Sequence, residues 1–374
     1  MAAIQSPKTV NVISKDIDKL IEVNKSSLVF SFSSHKKEDV PPVRMPLIIN
    51  GGVLEDIPSN TRTLFEAYPH FKEIAAALVA QPLKVIGPVS QLYVGQREYA
   101  ISHPQDKHIS IIGSDDATTC HIAVIRHSGS GVVCLGHFDG SEVDEGLTNI
   151  LRRIQELSPG VTEGRFEVQI VGGFLDTHLY SEQISMQLLR ALHKQPLELH
   201  LITICTCENN NTMRGSINYP VLYGIAPTLC YLDFFKLQNY RIYRRVNIGS
   251  GEIFPATFPD KGPDLPLRSA RHLTGGYQML DIYDCAMGLL RIGPFHYDPM
   301  RGTDLWLSQS DEFIVQHLST SPEAEPPHFV MHLRETLKYI QQHPFPGVTV
   351  FPDNRPHFFQ KEENGQWLPV PYAY

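Results

Sequence analysis

Residues 113–140 read GSDDATTCHIAVIRHSGSGVVCLGHFDG, and this stretch decides how the chain is interpreted. Its apolar runs flank Ser128-Gly129, a dipeptide that closes a hairpin because glycine tolerates the positive φ of a tight turn. The pattern predicts strands over 118–127 and 131–138, preceded by a strand over 107–113. A two-residue turn centred between Ser128 and Gly129 sets Cys120 directly opposite His137. Directly opposed residues share a face, with Cβ atoms roughly 4.5–5.5 Å apart, about what a thiol and an imidazole need to meet. His121 points to the other face because strand side chains alternate, and His127 does the same at the turn. Register thus selects His137 from three neighbouring histidines.

A Cys–His pair is a hydrolytic device. A thiol is only slightly ionised at neutral pH, and a partner imidazole activates it, protonates the leaving amine and later activates water. The plain alternative is a buried cysteine beside a hairpin histidine. Asp115 and Asp116 precede the Cys120 strand and Asp139 follows the His137 strand, so three carboxylates gather at the thiol end of the hairpin. Carboxylates there can bind an ammonium group or orient the histidine. Asp-Asp is equally a common turn sequence.

Outward from the hairpin, Phe71, Ile74 and Leu78 recur at helical spacing and predict a helix over 69–80, with Pro69 suited to its first turn. A second helix is predicted near 142–157, with a face of Leu147, Ile150, Leu151 and Ile154. Then come a strand over 166–173, a helix near 181–193 and a strand over 199–207. Further strands are expected at 219–225, 240–248, 278–284 and 290–294, and helices around 311–318 and 329–341. Mixed strands and helices, with hairpins as well as crossovers, indicate an α+β or mixed α/β layered fold. Residues 1–44 read as an N-terminal extension, flexible or loosely docked, with a short helix from Ser14 through Leu20 and Ile21. Residues 45–374 carry no long linker and read as a single catalytic domain.

Composition narrows the class. The chain has 374 residues, 42 % of them apolar, which is enough for a sizeable core. Lys+Arg number 32 against Asp+Glu 40, a net charge of −8 that argues against a nucleic-acid or anionic-membrane surface. No apolar run reaches the roughly 18 residues of a membrane span, and the first residues carry no hydrophobic core segment, so no secretory signal is expected. The expected location is cytoplasmic. The six cysteines show neither a disulfide framework nor a Cys-x-x-Cys pair. Cys205 and Cys207 read as small buried hydrophobes on one strand, and no metal or other cofactor is expected.

GSDDATTCH at 113–121 resembles the protein N-terminal asparagine amidohydrolases of eukaryotes, as do TFPDKGP at 257–263, LTGG at 273–276 and LSTSPEAEPPHF at 318–329. The resemblance runs from about Met45 to near the C-terminus. It implies a layered α-β-β sandwich similar to the cytotoxic-necrotizing-factor and laccase-domain cysteine hydrolases. It also implies a Cys-His-Ser triad, with the Cys at Cys120 and the His at His137. Ser114 is the expected serine because it borders the Cys strand, with Ser319 and Ser321 as alternatives. The implied reaction is side-chain deamidation of an N-terminal Asn to Asp through a thioester, feeding arginylation and ubiquitin-dependent degradation. Such an enzyme must read a free α-ammonium, and Asp115 or Asp116 suits that role. Two rival readings remain open: a catalytically silent binder of chain termini, and a metal-assisted purine nucleoside enzyme using His103, His108 and His121.

Overall fold

The computed structural model describes residues 46–227 and 251–371. The expected extension over 1–44 and the strand over 240–248 lie outside the described residues. Within them the chain forms two compact units. The larger takes in 46–227, 251–263, 277–293 and 356–371; the smaller takes in 264–276 and 294–355.

In chain order the larger unit begins with β1 (Leu47–Ile49), β2 (Gly52–Val53), α1 (Thr61–Ala67), α2 (His70–Val79), β3 (Lys84–Val85) and β4 (Gln91–Tyr93). Next are β5 (Glu98–Ser102), β6 (Ile111–Gly113), β7 (His121–His127), β8 (Val133–Phe138) and α3 (Val143–Glu156). β9 (Phe166–Gly172), α4 (Tyr180–His193), β10 (Leu199–Thr206), β11 (Asn211–Arg214), β12 (Ile217–Pro220), β13 (Ile225–Pro227) and β14 (Ile253–Thr257) follow. The unit closes with β15 (Leu280–Asp281), β16 (Tyr283–Asp284), β17 (Leu289–Ile292), β18 (His357–Lys361) and β19 (Trp367–Val370).

Its centre is an eight-stranded sheet in the order β15-β5-β8-β7-β9-β10-β1-β2. β7 lies between β8 and β9, antiparallel to both, and all seven of its residues are buried. That is why HIAVIRH reads as a nearly continuous apolar run rather than a strict alternation. β9, β10 and β1 run parallel, so α4 serves as the crossover between β9 and β10.

α3 and α4 lie on one face of this sheet. The predicted stripe of α3, Leu147, Ile150, Leu151 and Ile154, is buried. A Cβ added to Gly136 would stand 3.4 Å from Ile150 Cδ1, so α3 lies against the Gly136 side of β8. α4 meets the same face of β7, where His121 Nε2 lies 2.7 Å from Ser185 Oγ. Successive side chains alternate, so His137 projects from the opposite face. On that side are the β4–β6 pair and the β13-β14-β3 sheet, which meet where Ser114 bridges to Ile225. Among the described residues the unit is thus a mixed α+β layering.

The smaller unit contains α5 (Leu265–Leu273), α6 (Thr303–Leu307), α7 (Asp311–Leu318), α8 (Phe329–Gln342) and α9 (Pro346–Thr349). Its core joins Ala270 of α5, Tyr297 and Ile340 of α8. Ser310 caps α7 by accepting a hydrogen bond from the Phe313 N–H.

The expected hairpin forms, but its register differs. His137 pairs with Ile122, not with Cys120. The connection is longer than a two-residue turn: His127 N–H donates to Val132 O and Gly131 N–H to His127 O, so the bend occupies 128–132. Pairing is thereby displaced by two residues. Because strand side chains repeat every two residues, an even displacement leaves His137 facing the same side of β7, with Ile122 as its partner there. Cys120 itself precedes β7 on the segment leading into it. Cys207 also departs from expectation. It follows β10 in a short 3-10 turn with φ +48°, buried but off the strand face.

Candidate active site

The site is built where β7, β8 and β9 reach one end of the sheet. Cys120 is held by its backbone: Gly173 N–H donates to Cys120 O at 2.9 Å, continuing the β7–β9 pairing by one residue. This close approach needs glycine. Gly172 has φ +133°, and a Cβ there would stand 2.4 Å from Cys120 O; at Gly173, φ +62°, it would meet His121 Cε1 at 2.6 Å. Cys120 is half-buried, whereas Cys134, Cys205, Cys207 and Cys285 are buried. Burial pushes the thiols of Cys205 and Cys207 up to about 12 and that of Cys285 to about 11. Among the described cysteines, Cys120 is the one with access for a substrate.

His137 is buried, and Ser114 lies beside it. The Ser114 hydroxyl donates to Val94 O at 2.7 Å and sits 2.7 Å from His137 Nδ1. A hydroxyl has one proton, and a carbonyl oxygen can only accept. With that proton on Val94 O, Ser114 Oγ must accept from Nδ1–H, which leaves Nε2 of His137 with its lone pair. Burial holds the imidazole neutral, with its pKa pushed down to about 4 against the opposing pull of Asp139, Asp116 and Glu98. The ring is therefore unprotonated at neutral pH.

Of the other predicted residues, Asp115 is buried and fully engaged. Its Oδ2 accepts from Thr257 Oγ1 at 3.0 Å and Phe258 N–H at 2.7 Å, and its Oδ1 accepts from Lys261. Burial raises its pKa and the neighbouring Asp116 adds to this, with Lys261 acting in the other direction. Asp116 is left-handed at φ +58°, with Oδ2 2.9 Å from Lys261 Nζ and a side chain 27 % exposed. Asp139 belongs to a different pair. Its Oδ2 lies 2.6 Å from Arg97 Nε and also accepts from Gln96 at 2.7 Å. Burial alone would raise its carboxyl, but the Arg97 guanidinium and the hydrogen bonds from Ser141 N–H and Gln96 together hold it below the usual range.

Ser319 and Ser321 are in the smaller unit, where the Ser319 hydroxyl donates to Glu325 and accepts from the Ser321 N–H at 2.9 Å. His103 Nδ1 lies 3.0 Å from Gln105 Oε1, and His121 turns to Ser185 of α4.

The profile of the protein N-terminal asparagine amidohydrolase family matches residues 81–235 and 242–369. This chain belongs to that family. Protein N-terminal asparagine amidohydrolase of Homo sapiens is 42 % identical over 323 residues, which cover 86 % of this chain and 97 % of that protein. The Sus scrofa protein of the same name is 41 % identical over 326 residues, 87 % of this chain and 98 % of its own. An Arabidopsis thaliana protein of that name is 27 % identical over 303 residues, 74 % and 80 % of the two chains.

Within this amidohydrolase-family chain, two segments quoted for the resemblance meet in space. GSDD supplies Asp115, and TFPDKGP supplies Thr257, Phe258 and Lys261 as its partners. Lys261 and the Gly172-Gly173 pair did not emerge from the sequence as site residues. A lysine inside a family-like segment and two glycines closing a strand were the available signals.

Proposed function

We propose that this chain removes ammonia from the side chain of an N-terminal asparagine, with Cys120 as nucleophile, His137 as base and Ser114 orienting the base. The observation that carries this reading is the Ser114 hydroxyl between Val94 O and His137 Nδ1, which leaves Nε2 available to take a proton. The half-buried thiol of Cys120 supplies the nucleophile.

The Cys120 proton passes to His137 Nε2 as sulfur attacks the carboxamide carbon. Backbone N–H groups of the nucleophile turn carry the oxyanion. The C–N bond then breaks, and the His137 proton leaves with nitrogen as ammonia. Water, deprotonated by His137, attacks the thioester, and the C–S bond breaks to give aspartate and the Cys120 thiol. The scheme uses no metal or cofactor.

The substrate is a protein or peptide with a free terminal Asn, and its α-ammonium needs a carboxylate. Asp115 has both oxygens engaged, so Asp116, with 27 % of its side chain exposed, takes that role. The product begins with aspartate and feeds arginylation and ubiquitin-dependent degradation, which places the reaction in the cytoplasm. No described helix is long and apolar enough to cross a membrane. We also place the fold among the layered α-β-β cysteine hydrolases, supported by α3 and α4 on one face of the large sheet and small sheets on the other. The family match spans both compact units, which favours 45–374 acting as one catalytic domain.

The test is mass spectrometry of short peptides beginning with Asn, Gln or acetyl-Asn, incubated with wild type and Cys120→Ala. Loss of ammonia from free Asn peptides alone, abolished in Cys120→Ala, is the expected result. Binding of these peptides without turnover by folded protein would replace this reading with that of a terminus-binding protein.

A further inference from the structure

We infer that Asn210 is a positioning residue that holds the Cys120 half of the site against the Ser114 half. The inference rests on the catalytic reading above and adds to it a residue that touches neither the thiol nor the imidazole.

Asn210 is fully buried at the end of the turn that follows β10. Its Nδ2 donates to Gly173 O at 2.8 Å and to Leu222 O at 3.0 Å, while its Oδ1 accepts from Leu222 N–H at 2.8 Å. Both amide protons and the amide oxygen are therefore spent on backbone of two separate segments.

Each of those segments supports one end of the nucleophile turn. On one side, the Gly173 residue whose carbonyl Asn210 holds uses its own N–H to bind Cys120 O at 2.9 Å. On the other, the chain just beyond Leu222 binds the start of the turn: Ala117 N–H donates to Tyr223 O at 2.9 Å. Ser114 and Ile225 exchange hydrogen bonds, 3.2 Å from Ser114 N–H and 3.0 Å to Ser114 O. Ser114 fixes His137, so Asn210 closes a path of hydrogen bonds from the thiol's backbone to the backbone of the serine that orients the base. No apolar or smaller side chain reproduces this, because the two carbonyls and the N–H all point at one buried amide.

Three variants of the full chain test it: Asn210→Asp, Asn210→Ala and Asn210→Ser. Asn210→Asp is isosteric; it keeps an acceptor for Leu222 N–H but loses both donors. Asn210→Ser keeps one. Ile154→Ala, a cavity in α3 remote from these bonds, serves as a control of lowered stability. The readouts are kcat and KM on an Asn-initiated peptide, and the pH dependence of iodoacetamide alkylation of Cys120, followed by peptide mapping.

Misplacement of a reacting group by about 1 Å can cost on the order of a hundredfold in rate. The expected result is a kcat lowered about ten- to a hundredfold in Asn210→Asp and Asn210→Ala. KM stays within about threefold, and the alkylation profile of Cys120 moves. Asn210→Ser should fall between wild type and Asn210→Ala, and Ile154→Ala should lower Tm alone. Wild-type kcat and alkylation in folded Asn210→Asp would overturn the inference, as would losses matching those of Ile154→Ala at equal Tm. If wild type alkylates at Cys120 but turns over no peptide, the amidohydrolase reading fails on its own. The alkylation profiles still decide the role of Asn210.

Discussion

Ser114 Oγ and His137 Nδ1 lie 2.7 Å apart, and the hydroxyl is also 2.7 Å from the carbonyl oxygen of Val94. The carbonyl takes the hydroxyl proton, and this fixes which ring nitrogen carries hydrogen. Without the hydroxyl, the buried ring is free to place its proton on Nε2, where it can no longer act as a base toward the thiol. Ser114→Ala should lower kcat by about ten- to a hundredfold, within the usual range for a general-base contribution. KM should change little. Steady-state kinetics on an Asn-initiated peptide reads the split, and an unchanged kcat would remove Ser114 from the triad.

The buried histidines give a pH signature. Burial lowers His137 to about 4 and His121 to about 3 from the ordinary 6.5. Their folded values are depressed, so the unfolded chain takes up these protons first. Stability from both rings is complete above about 6.5, and it falls with pH down to about 4 for His137 and 3 for His121. The effect is on the order of 3 kcal/mol for His137 and about 5 kcal/mol for His121. Asp281, raised to about 6 by burial, acts in the opposite sense, so wild type must be compared with a variant. In urea titrations, His121→Gln should reduce the stability loss between neutral pH and pH ~4 by about one proton's worth. Parallel pH curves for the two proteins would contradict a buried neutral His121.

Gly172→Ala should damage both stability and activity. The added Cβ would stand 2.4 Å from Cys120 O on a backbone at φ +133°. Strain of this kind costs on the order of 1–3 kcal/mol before the contact itself is counted. Denaturant melts should show a loss of at least about 2 kcal/mol, with kcat reduced as Cys120 is displaced. A variant of wild-type stability would mean that the β9 end yields without moving the nucleophile.

The two neighbouring aspartates should separate in their effects. Asp116→Asn should raise KM for peptides with a free terminal Asn by about tenfold, the scale of a lost charge-assisted contact, with kcat less affected. Asp115→Asn should act mainly on stability, since Asp115 ties 257–261 to the nucleophile turn through Thr257, Phe258 and Lys261. Thermal melts alongside KM measurements check this division. Equal KM changes in both variants with unaltered Tm would count against it.

Much of the hairpin could be read in the sequence because its determinants are local. The apolar runs on either side of Ser128-Gly129 are enough for two strands, and Leu147, Ile150, Leu151 and Ile154 for the following helix. The register was not readable. Glycines at 129 and 131 permit more than one turn, and the bend that forms occupies 128–132, placing Ile122 opposite His137. The α1 and β1 elements were missed because they are short and their patterns do not span two full turns or several strand residues.

By itself the sequence determined the strand–turn–strand unit and the residue types fit for thiol chemistry. Turn propensity and side-chain periodicity act over a few residues, so they record strands and helix faces but not which residues of two strands stand opposite each other. Tertiary structure alone decided that Ser114 meets the ring of His137, that Asp115 is taken by Thr257, Phe258 and Lys261, and that Asn210 joins Gly173 to Leu222. Those contacts join residues 12 to 146 positions apart. They form only when layers of the fold close on buried polar groups that must find partners, and no local pattern records which partner that will be.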